Sequence, residues 1–134
     1  MFKKIIRNEK GLTLIELLAV IVILGIIAAI AIPSIGGLIE NSRKDAHIAN
    51  AQQMVNAARL AYTADSTKTE YTLKYLEDKK YLEPVKKPGG GQYDKDISKV
   101  VLDQGVWKVT LKSGNTTHID GKDPGTLKRD DVEL

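Results

Sequence analysis

The apolar and polar residues of this chain are unevenly distributed, and one long apolar run stands near the beginning. From Leu12 to Ile32 the only polar side chains are those of Thr13 and Glu16. At about 1.5 Å of rise per residue, these 21 residues form a helix of about 30 Å, which is enough to cross a bilayer. We therefore predict a membrane-spanning helix that begins near Leu12.

The pattern changes after this run, and residues 38–63 mix polar side chains with apolar ones that recur every three or four positions. This period is typical of an amphipathic helix with one apolar stripe. We predict a single long helix over residues 12–63, bent at Pro33, whose second half packs its stripe on the C-terminal part of the chain. The stripe consists of Ile48, Ala51, Val55, Ala58 and Tyr62.

The C-terminal half carries the signals of a small antiparallel sheet, namely strand-like runs that are separated by two-residue turns. The runs cover residues 98–103, 106–112 and 115–120, and the turns are Gln104-Gly105 and Ser113-Gly114. Alternation within the middle run places Trp107, Val109 and Leu111 on the face towards the core. The predicted fold class is therefore α+β, with a long N-terminal helix packed on an antiparallel sheet of about three strands.

Shorter elements flank this sheet. Thr72 is a suitable N-cap for a short helix that runs to about Tyr81 and ends before Pro84. The three glycines after Pro88 predict a flexible loop. They are not followed by the Lys-Ser/Thr of a phosphate-binding loop, so the sequence does not favour phosphate binding there. Residues 121–134 are polar and charged, and we expect a loosely held tail there.

The distribution of charge argues against a nucleic-acid-binding protein. The chain has a formal net charge of +3, but residues 1–11 contain four basic side chains and one acidic side chain. The rest of the chain is therefore neutral overall. A basic flank before an apolar span favours a cytoplasmic N-terminus. Lysines 79, 80, 86 and 87 with nearby tyrosines are a weak candidate for a DNA-binding patch, and the acids among them favour an ordinary solvated surface instead.

Few residues offer chemistry. The absence of cysteine excludes disulfides, Cys-based zinc sites and thiol catalysis. His47 and His118 stand alone in the sequence, and we expect both on the surface. No nucleophile–base–acid set is recognisable, so we predict neither an enzyme nor a bound cofactor. The C-terminal half also contains a cluster of acids without EF-hand spacing, for which calcium binding stays open: Asp120, Asp123, Asp130 and Asp131.

Glu16 is the residue that most needs an explanation, because a carboxylate in a bilayer core costs roughly 2.5–3.5 kcal/mol. It follows Gly11 in the sequence Lys-Gly-Leu-Thr-Leu-Ile-Glu-Leu-Leu, and Ala-Ile-Pro ends the apolar run at Pro33. The segment from Lys10 to Ile39 resembles the N-terminus of the type IV pilins, a family that includes the pseudopilins of secretion and competence systems. Leucine at position 12 departs from the more usual Phe or Met of that family.

The resemblance implies how the chain is processed. A prepilin peptidase would cut between Gly11 and Leu12, and the new terminus would become N-methyl-leucine. Glu16 corresponds to the family's glutamate, which in a filament would reach the Leu12 amine of a neighbouring subunit, and Pro33 to its helix-bending proline. The expected domains are a leader (residues 1–11), a transmembrane and assembly helix (12–39) and an extracytoplasmic globular domain (40–134).

The function that the resemblance implies is that of a structural subunit of a type IV pilus or of a pilus-like pseudopilus. Expected partners are copies of itself, the prepilin peptidase, an assembly ATPase, a membrane platform protein, and lipid before assembly. Direct nucleic-acid binding is not expected. The chain would be a single-pass membrane protein and then part of a cell-surface filament.

Two further interpretations stay open. Ala29-Ile30-Ala31 fits the small-x-small rule of a secretory signal peptide, whose removal would release a soluble binding domain that starts at Ile32. A plain signal-anchored enzyme is a third possibility, for which the sequence offers no site. Within the pilin interpretation, adhesion, DNA uptake in competence and type II protein secretion are not distinguished, and neither are major and minor subunits.

Overall fold

The computed structural model describes residues 9–134, and the side chains from Gly11 onwards. Most of the predicted leader, residues 1–8, lies outside the described residues. The chain divides into two compact units, one that ends at Ile39 and one that spans Glu40–Leu134. A single helix, α1 (Glu9–Ala64), contributes to both units, which confirms the predicted long helix.

The N-terminal unit consists of the first part of α1. Its large apolar side chains are exposed along the whole apolar run, and Ile30 reaches 69% exposure. Within residues 9–134 only α1 is both long and apolar enough to cross a membrane. The helix continues through Pro33, although proline has no N–H to donate to the carbonyl of Ala29. The bend predicted at Pro33 stays a prediction.

The C-terminal unit contains a four-stranded antiparallel sheet in the order β1-β2-β3-β4. The strands are β1 (Glu70–Thr72), β2 (Lys99–Asp103), β3 (Val106–Ser113) and β4 (Thr116–Lys122). The prediction of about three strands missed β1, because this strand is only three residues long and leads directly into a helix. That helix, α2 (Leu73–Asp78), is capped as predicted by Thr72, whose hydroxyl accepts the Tyr75 N–H. It ends earlier than the predicted Tyr81.

The core of this unit forms between the apolar stripe of α1 and one face of the sheet. The predicted stripe is confirmed, since Ala51, Val55 and Ala58 are buried while Ile48 and Tyr62 pack against the core. The core face of β3 is also confirmed: Val109 and Leu111 are fully buried, and Trp107 packs at its edge. The remaining core residues come from α1, α2, the other three strands and two positions outside these elements: Met54, Ala57, Ala61, Tyr71, Leu73, Leu76, Tyr93, Val100, Ile119 and Val132.

Two tight turns set the register of the sheet. Gln104 and Gly105 join β2 to β3 and both have positive φ, which matches the twist of paired strands. The second turn lies one residue later than predicted, because Ser113 pairs with Thr116 and leaves Gly114 and Asn115 as the turn. The β2–β3 register is regular, whereas the β3–β4 register shifts between Val109 and Leu111 and again between Leu111 and Lys112.

The C-terminal segment corrects the expectation of a loosely held tail. β4 extends to Lys122, and residues 129–131 form a short 3-10 helix. Val132 is buried to 3% exposure, and the Glu133 N–H donates to the His118 carbonyl over 3.0 Å. Polar composition was misleading here, because one apolar side chain and a few specific hydrogen bonds are enough to hold a chain end.

Candidate functional site

Two features of the described residues carry functional information: the exposed N-terminal part of α1 and a buried polar cluster in the C-terminal unit. In the first, Gly11, Leu12 and Glu16 all lie in α1, and Leu12 and Glu16 are exposed. Residues four apart in a helix are neighbours on one face, so the Leu12 backbone and the Glu16 carboxylate are one turn apart. The helix thus presents one acid on an otherwise apolar surface.

This surface has no covering within its own unit, and every large apolar side chain from Leu14 to Ile39 is exposed. Monomeric soluble proteins rarely expose contiguous apolar patches of more than a few hundred Å². By length and composition this part of α1 could span a membrane, and Glu16 is its only ionisable side chain between Leu12 and Ile39.

Pro33 and three glycines lie within this part of α1, which stays helical throughout. An added Cβ at Gly25, Gly36 or Gly37 would meet no atom within 4 Å. The Ser34 hydroxyl donates to the Ile30 carbonyl over 3.1 Å, within the turn that Pro33 weakens. These three glycine positions are therefore open within the described residues.

The second feature corrects the expectation of surface histidines. His47 on α1 and His118 on β4 are buried, with exposures of 1% and 3%. Their rings stack with centroids 4.2 Å apart and an angle of 19° between the planes. The Tyr93 ring meets both rings edge-on, at 5.6 and 6.0 Å. Sequence analysis missed this cluster, because three residues so far apart in sequence meet only through the fold. We call these three residues the histidine cluster.

Hydrogen bonds connect His47 to the loop that carries Tyr93. The Asn50 amide nitrogen donates to the Lys86 carbonyl over 3.0 Å and to the Tyr93 hydroxyl over 3.1 Å. The Tyr93 hydroxyl also bonds to His47 Nδ1 over 2.6 Å. Because a hydroxyl can donate one hydrogen bond and accept two, either tautomer of His47 fits this contact.

The proton on one ring nitrogen of His118 follows from its partner. Its Nδ1 lies 2.6 Å from the Glu133 carbonyl oxygen, which can only accept, so Nδ1 carries a proton. Its Nε2 bonds to the Ser113 hydroxyl over 2.7 Å. Because the Glu133 N–H also bonds to the His118 carbonyl, this one residue of β4 holds the C-terminal segment through two hydrogen bonds.

Burial dominates the electrostatics of the histidine cluster. Desolvation, with smaller contributions from His118 and Lys87, lowers the pKa of His47 from 6.5 to about 4. Burial likewise raises the pKa of Tyr93 from 10.0 to about 12, against a smaller opposite effect of the Asn50 hydrogen bond. Both shifts favour the neutral form, as expected where charge has little access to water.

Two of the four clustered acids at the C-terminal end accept local main-chain hydrogen bonds. Asp123 Oδ1 accepts the Gly125 N–H over 3.0 Å, and Asp131 Oδ2 accepts the Lys128 N–H over 3.0 Å. Across residues 9–134, no group of three or more His, Cys, Asp or Glu side chains is arranged to hold a metal ion. Two of the tyrosines near the lysines of the weak DNA-patch candidate are not free surface side chains. Tyr93 is buried in the histidine cluster, and Tyr81 packs on the core.

Comparison with known protein families finds one match. The model of the prokaryotic N-terminal methylation motif matches residues 6–32, which include Gly11, Leu12 and Glu16. This is the prepilin motif of type IV pilins and pseudopilins. Comparisons with curated proteins and with solved structures give no match. The resemblance stated from the sequence is therefore confirmed for the N-terminal motif, and the globular unit has no matched relative to compare with.

Proposed function

Because the chain carries the prepilin-type methylation motif, we propose that it is a structural subunit of a type IV pilus or pilus-like pseudopilus. The observation that carries the proposal is the match over residues 6–32 together with the large apolar side chains of the same helix, which are exposed as far as Ile39. The helix requires a covering that its own unit does not supply. Lipid supplies it before assembly, and the helices of neighbouring subunits supply it in the filament.

Processing would create the chemistry that explains Glu16. A cut between Gly11 and Leu12 converts the Leu12 nitrogen into a cationic amine, one helical turn from the Glu16 carboxylate. In the filament, Glu16 would bond to the Leu12 amine of a neighbouring subunit. Removing one partner of a buried ion pair costs several kcal/mol, so misaligned subunits would be rejected. The pair thereby sets the register of the filament.

The proposed domains follow from the same step. Residues 1–11 are a leader that the prepilin peptidase removes, residues 12–39 anchor and assemble the subunit, and residues 40–134 form the extracytoplasmic domain. A basic N-terminal flank favours retention of that end in the cytoplasm. An assembly ATPase and a membrane platform protein would then move the subunit from the bilayer into the filament.

The alternatives differ either in what the globular domain contacts or in where the mature chain begins. A subunit that takes part in DNA uptake or in type II secretion would have the same N-terminus and would differ only in the contacts of its globular domain. A conventional signal peptide cut after Ala31 would remove Glu16 altogether and would leave no apolar span. The match to the methylation motif over residues 6–32 favours the pilin interpretation over a signal peptide that is cut after Ala31.

Mass spectrometry of the mature N-terminus tests the proposal directly. We expect a chain that begins at Leu12 and is heavier by one methyl group. Gly11→Val should block the cut and leave the full-length precursor, whereas the matched control Gly25→Val should be processed normally. Neither glycine has an atom within 4 Å of an added Cβ, so neither substitution causes a clash. A mature protein that begins at Ile32 or retains Met1 contradicts the proposal.

A further inference from the structure

Three basic side chains of the C-terminal unit meet at one glycine-rich loop, and none of them is paired with an acid. Arg43 belongs to α1, whereas Lys86 and Lys87 belong to the loop itself, which covers residues 84–92. Among the described residues, no carboxylate forms an ion pair with any of the three. We call Arg43, Lys86 and Lys87 the basic surface.

Two contacts hold the loop and the helix together at this surface. A Cβ at Gly89 would lie 3.5 Å from Cζ and Nε of Arg43, so the guanidinium lies directly beside this glycine. Gly89 has a φ of +84°, a conformation that side chains rarely adopt, and glycine therefore suits both the backbone and the contact. From a second position on α1, the Asn50 amide donates to the Lys86 carbonyl over 3.0 Å. The charges of helix and loop are thus held on one surface.

The loop also forms a shallow depression beside these charges. Its volume is about 310 Å³, and Val85, Lys86, Lys87, Gly90 and Gly91 are among the residues that line it. Nζ of Lys87 donates to the Gly90 carbonyl over 3.1 Å, which holds the ammonium group at the loop. A volume of roughly 300 Å³ is at the lower end of the range for small-molecule sites. The depression is therefore large enough for a phosphate-containing headgroup.

The acids that are nearest in the sequence do not neutralise the basic surface. Asp45 is bound to Arg129 through two hydrogen bonds. Glu83 lines a different depression, together with Glu77. Glu40 is exposed and forms no ion pair within the part of the chain that the structure describes. A single free acid can offset only one of the three positive charges, so the surface keeps a net positive charge.

The basic surface begins close to the end of the apolar part of α1. From Leu12 to Ile39 the helix rises about 42 Å, which matches the roughly 40–45 Å of a bilayer with its headgroup regions. Arg43 follows Ile39 by four residues, or about 6 Å of helix. Even a fully extended chain of four residues reaches only about 14 Å. Charges on a surface act over about 8 Å at physiological ionic strength, so Arg43 lies within reach of the headgroups.

From these contacts we propose that the basic surface binds the phosphate groups of anionic phospholipids in the membrane that holds α1. The proposal rests on the proposed function in one respect, the anchoring of α1 in a bilayer, and it does not depend on cleavage or filament assembly. The anchor keeps the surface at a high local concentration of headgroups, so three cations are enough. Binding of DNA from solution at physiological salt requires more phosphate contacts than this surface offers.

Fluorescence quenching in lipid nanodiscs tests the proposal on the full-length protein. Because the chain has no native cysteine, Gln92→Cys, at an exposed position of the loop, takes a single fluorophore. The quencher is a nitroxide on the headgroup of a phosphatidylcholine, which is present in equal amount in all discs. We expect quenching that is at least threefold stronger in discs with phosphatidylglycerol than in discs of phosphatidylcholine alone. This difference should be lost in 1 M NaCl, because salt screens the attraction.

Two double variants with the same change in charge identify the residues. Arg43→Gln with Lys86→Gln should lower the quenching in phosphatidylglycerol discs to the phosphatidylcholine value, because the loss of two cations lowers the ratio of bound to free loop by roughly tenfold or more. The matched control is Arg59→Gln with Lys122→Gln. Both side chains are exposed and without an ion pair in the described residues, and Arg59 lies about 24 Å further along α1 than Arg43. This control should keep the wild-type quenching.

The outcomes separate this proposal from the proposed function. Co-purification of the intact chain with both kinds of disc reports the anchor, and a chain that does not insert contradicts the anchor and with it the lipid-binding surface. Equal quenching of the wild-type protein in the two lipids, or an equal loss in the two double variants, overturns the lipid-binding surface alone. A DNA duplex that displaces the loop from phosphatidylglycerol discs at physiological ionic strength would also overturn it, because it would assign the basic surface to nucleic acid.

Discussion

Arg129 binds Asp45 through two hydrogen bonds, Nε to Oδ1 at 2.9 Å and Nη2 to Oδ2 at 2.8 Å, and so ties the C-terminal 3-10 helix to the long helix α1. The two residues are 84 positions apart in the chain. This pair lowers the pKa of Asp45 and raises that of Arg129, chiefly through the side-chain hydrogen bonds. A segment that looks like a polar tail in the sequence is thereby part of the folded unit.

The first prediction concerns this ion pair. Asp45→Asn should lower the thermal midpoint only slightly, because both side chains are about half exposed and such pairs are screened by water and salt. The difference from wild type should shrink further in 1 M NaCl. Thermal unfolding followed by circular dichroism measures both effects. A loss of stability that is equally large at low and high salt would show that Asp45 acts through packing instead.

The second prediction concerns pH. The pKa of His47 is lowered to about 4 in the folded protein from an ordinary value of 6.5, so the unfolded chain binds the proton more readily. The contribution of the neutral His47 ring to the free energy of unfolding is fully present above pH 6.5 and is lost as the pH falls towards 4. Two and a half pKa units correspond to about 3 kcal/mol. Urea unfolding between pH 7 and pH 4 should show this loss, and His47→Asn should show a flatter profile. Parallel profiles would contradict it.

The third prediction concerns the hydroxyl of Tyr93. Tyr93→Phe leaves Nδ1 of His47 without its hydrogen-bond partner and one Asn50 N–H without its acceptor. Leaving buried polar groups unsatisfied costs about 1–3 kcal/mol. The matched control is Tyr81→Phe, since Tyr81 also packs on the core but its hydroxyl has no hydrogen bond within residues 9–134. Chemical denaturation of the two variants should give a clear loss for the first and little for the second. Equal losses would contradict the assigned bonding.

The sequence predicted those parts of the fold that depend on local periodicity. The single helix, its apolar stripe and the core face of β3 all follow from spacings of three, four or two residues. The two-residue hairpins were also recognisable from Gln104-Gly105 and from the glycine at position 114. These features need only neighbouring residues, and the structure confirms them with shifts of one or two positions.

The features that were missed depend on contacts between distant residues. His47 and His118 looked like surface residues, because nothing within a few positions of either one marks burial. The three-residue strand β1 is too short for an alternation pattern, and it exists only because β2 lies beside it. The C-terminal segment is held by Asp45 and His118, which its own composition does not reveal. The N-terminal motif, by contrast, was recognisable from the local spacing of Gly11 and Glu16.

The last prediction concerns Glu16 and separates processing from assembly. Glu16→Val leaves Gly11 and Leu12 unchanged, so cleavage and methylation should proceed, and the apolar run becomes a better membrane segment. The Leu12 amine of a neighbour would then be buried in the filament without its partner, at a cost of several kcal/mol. Filament yield, measured by shearing and immunoblotting, should therefore fall by roughly tenfold or more. The matched control is Glu40→Val, an exposed acid in the same helix with no ion pair within the described residues. A normal filament yield from Glu16→Val, or an equal loss from both variants, would contradict the proposal that Glu16 sets the register of the filament.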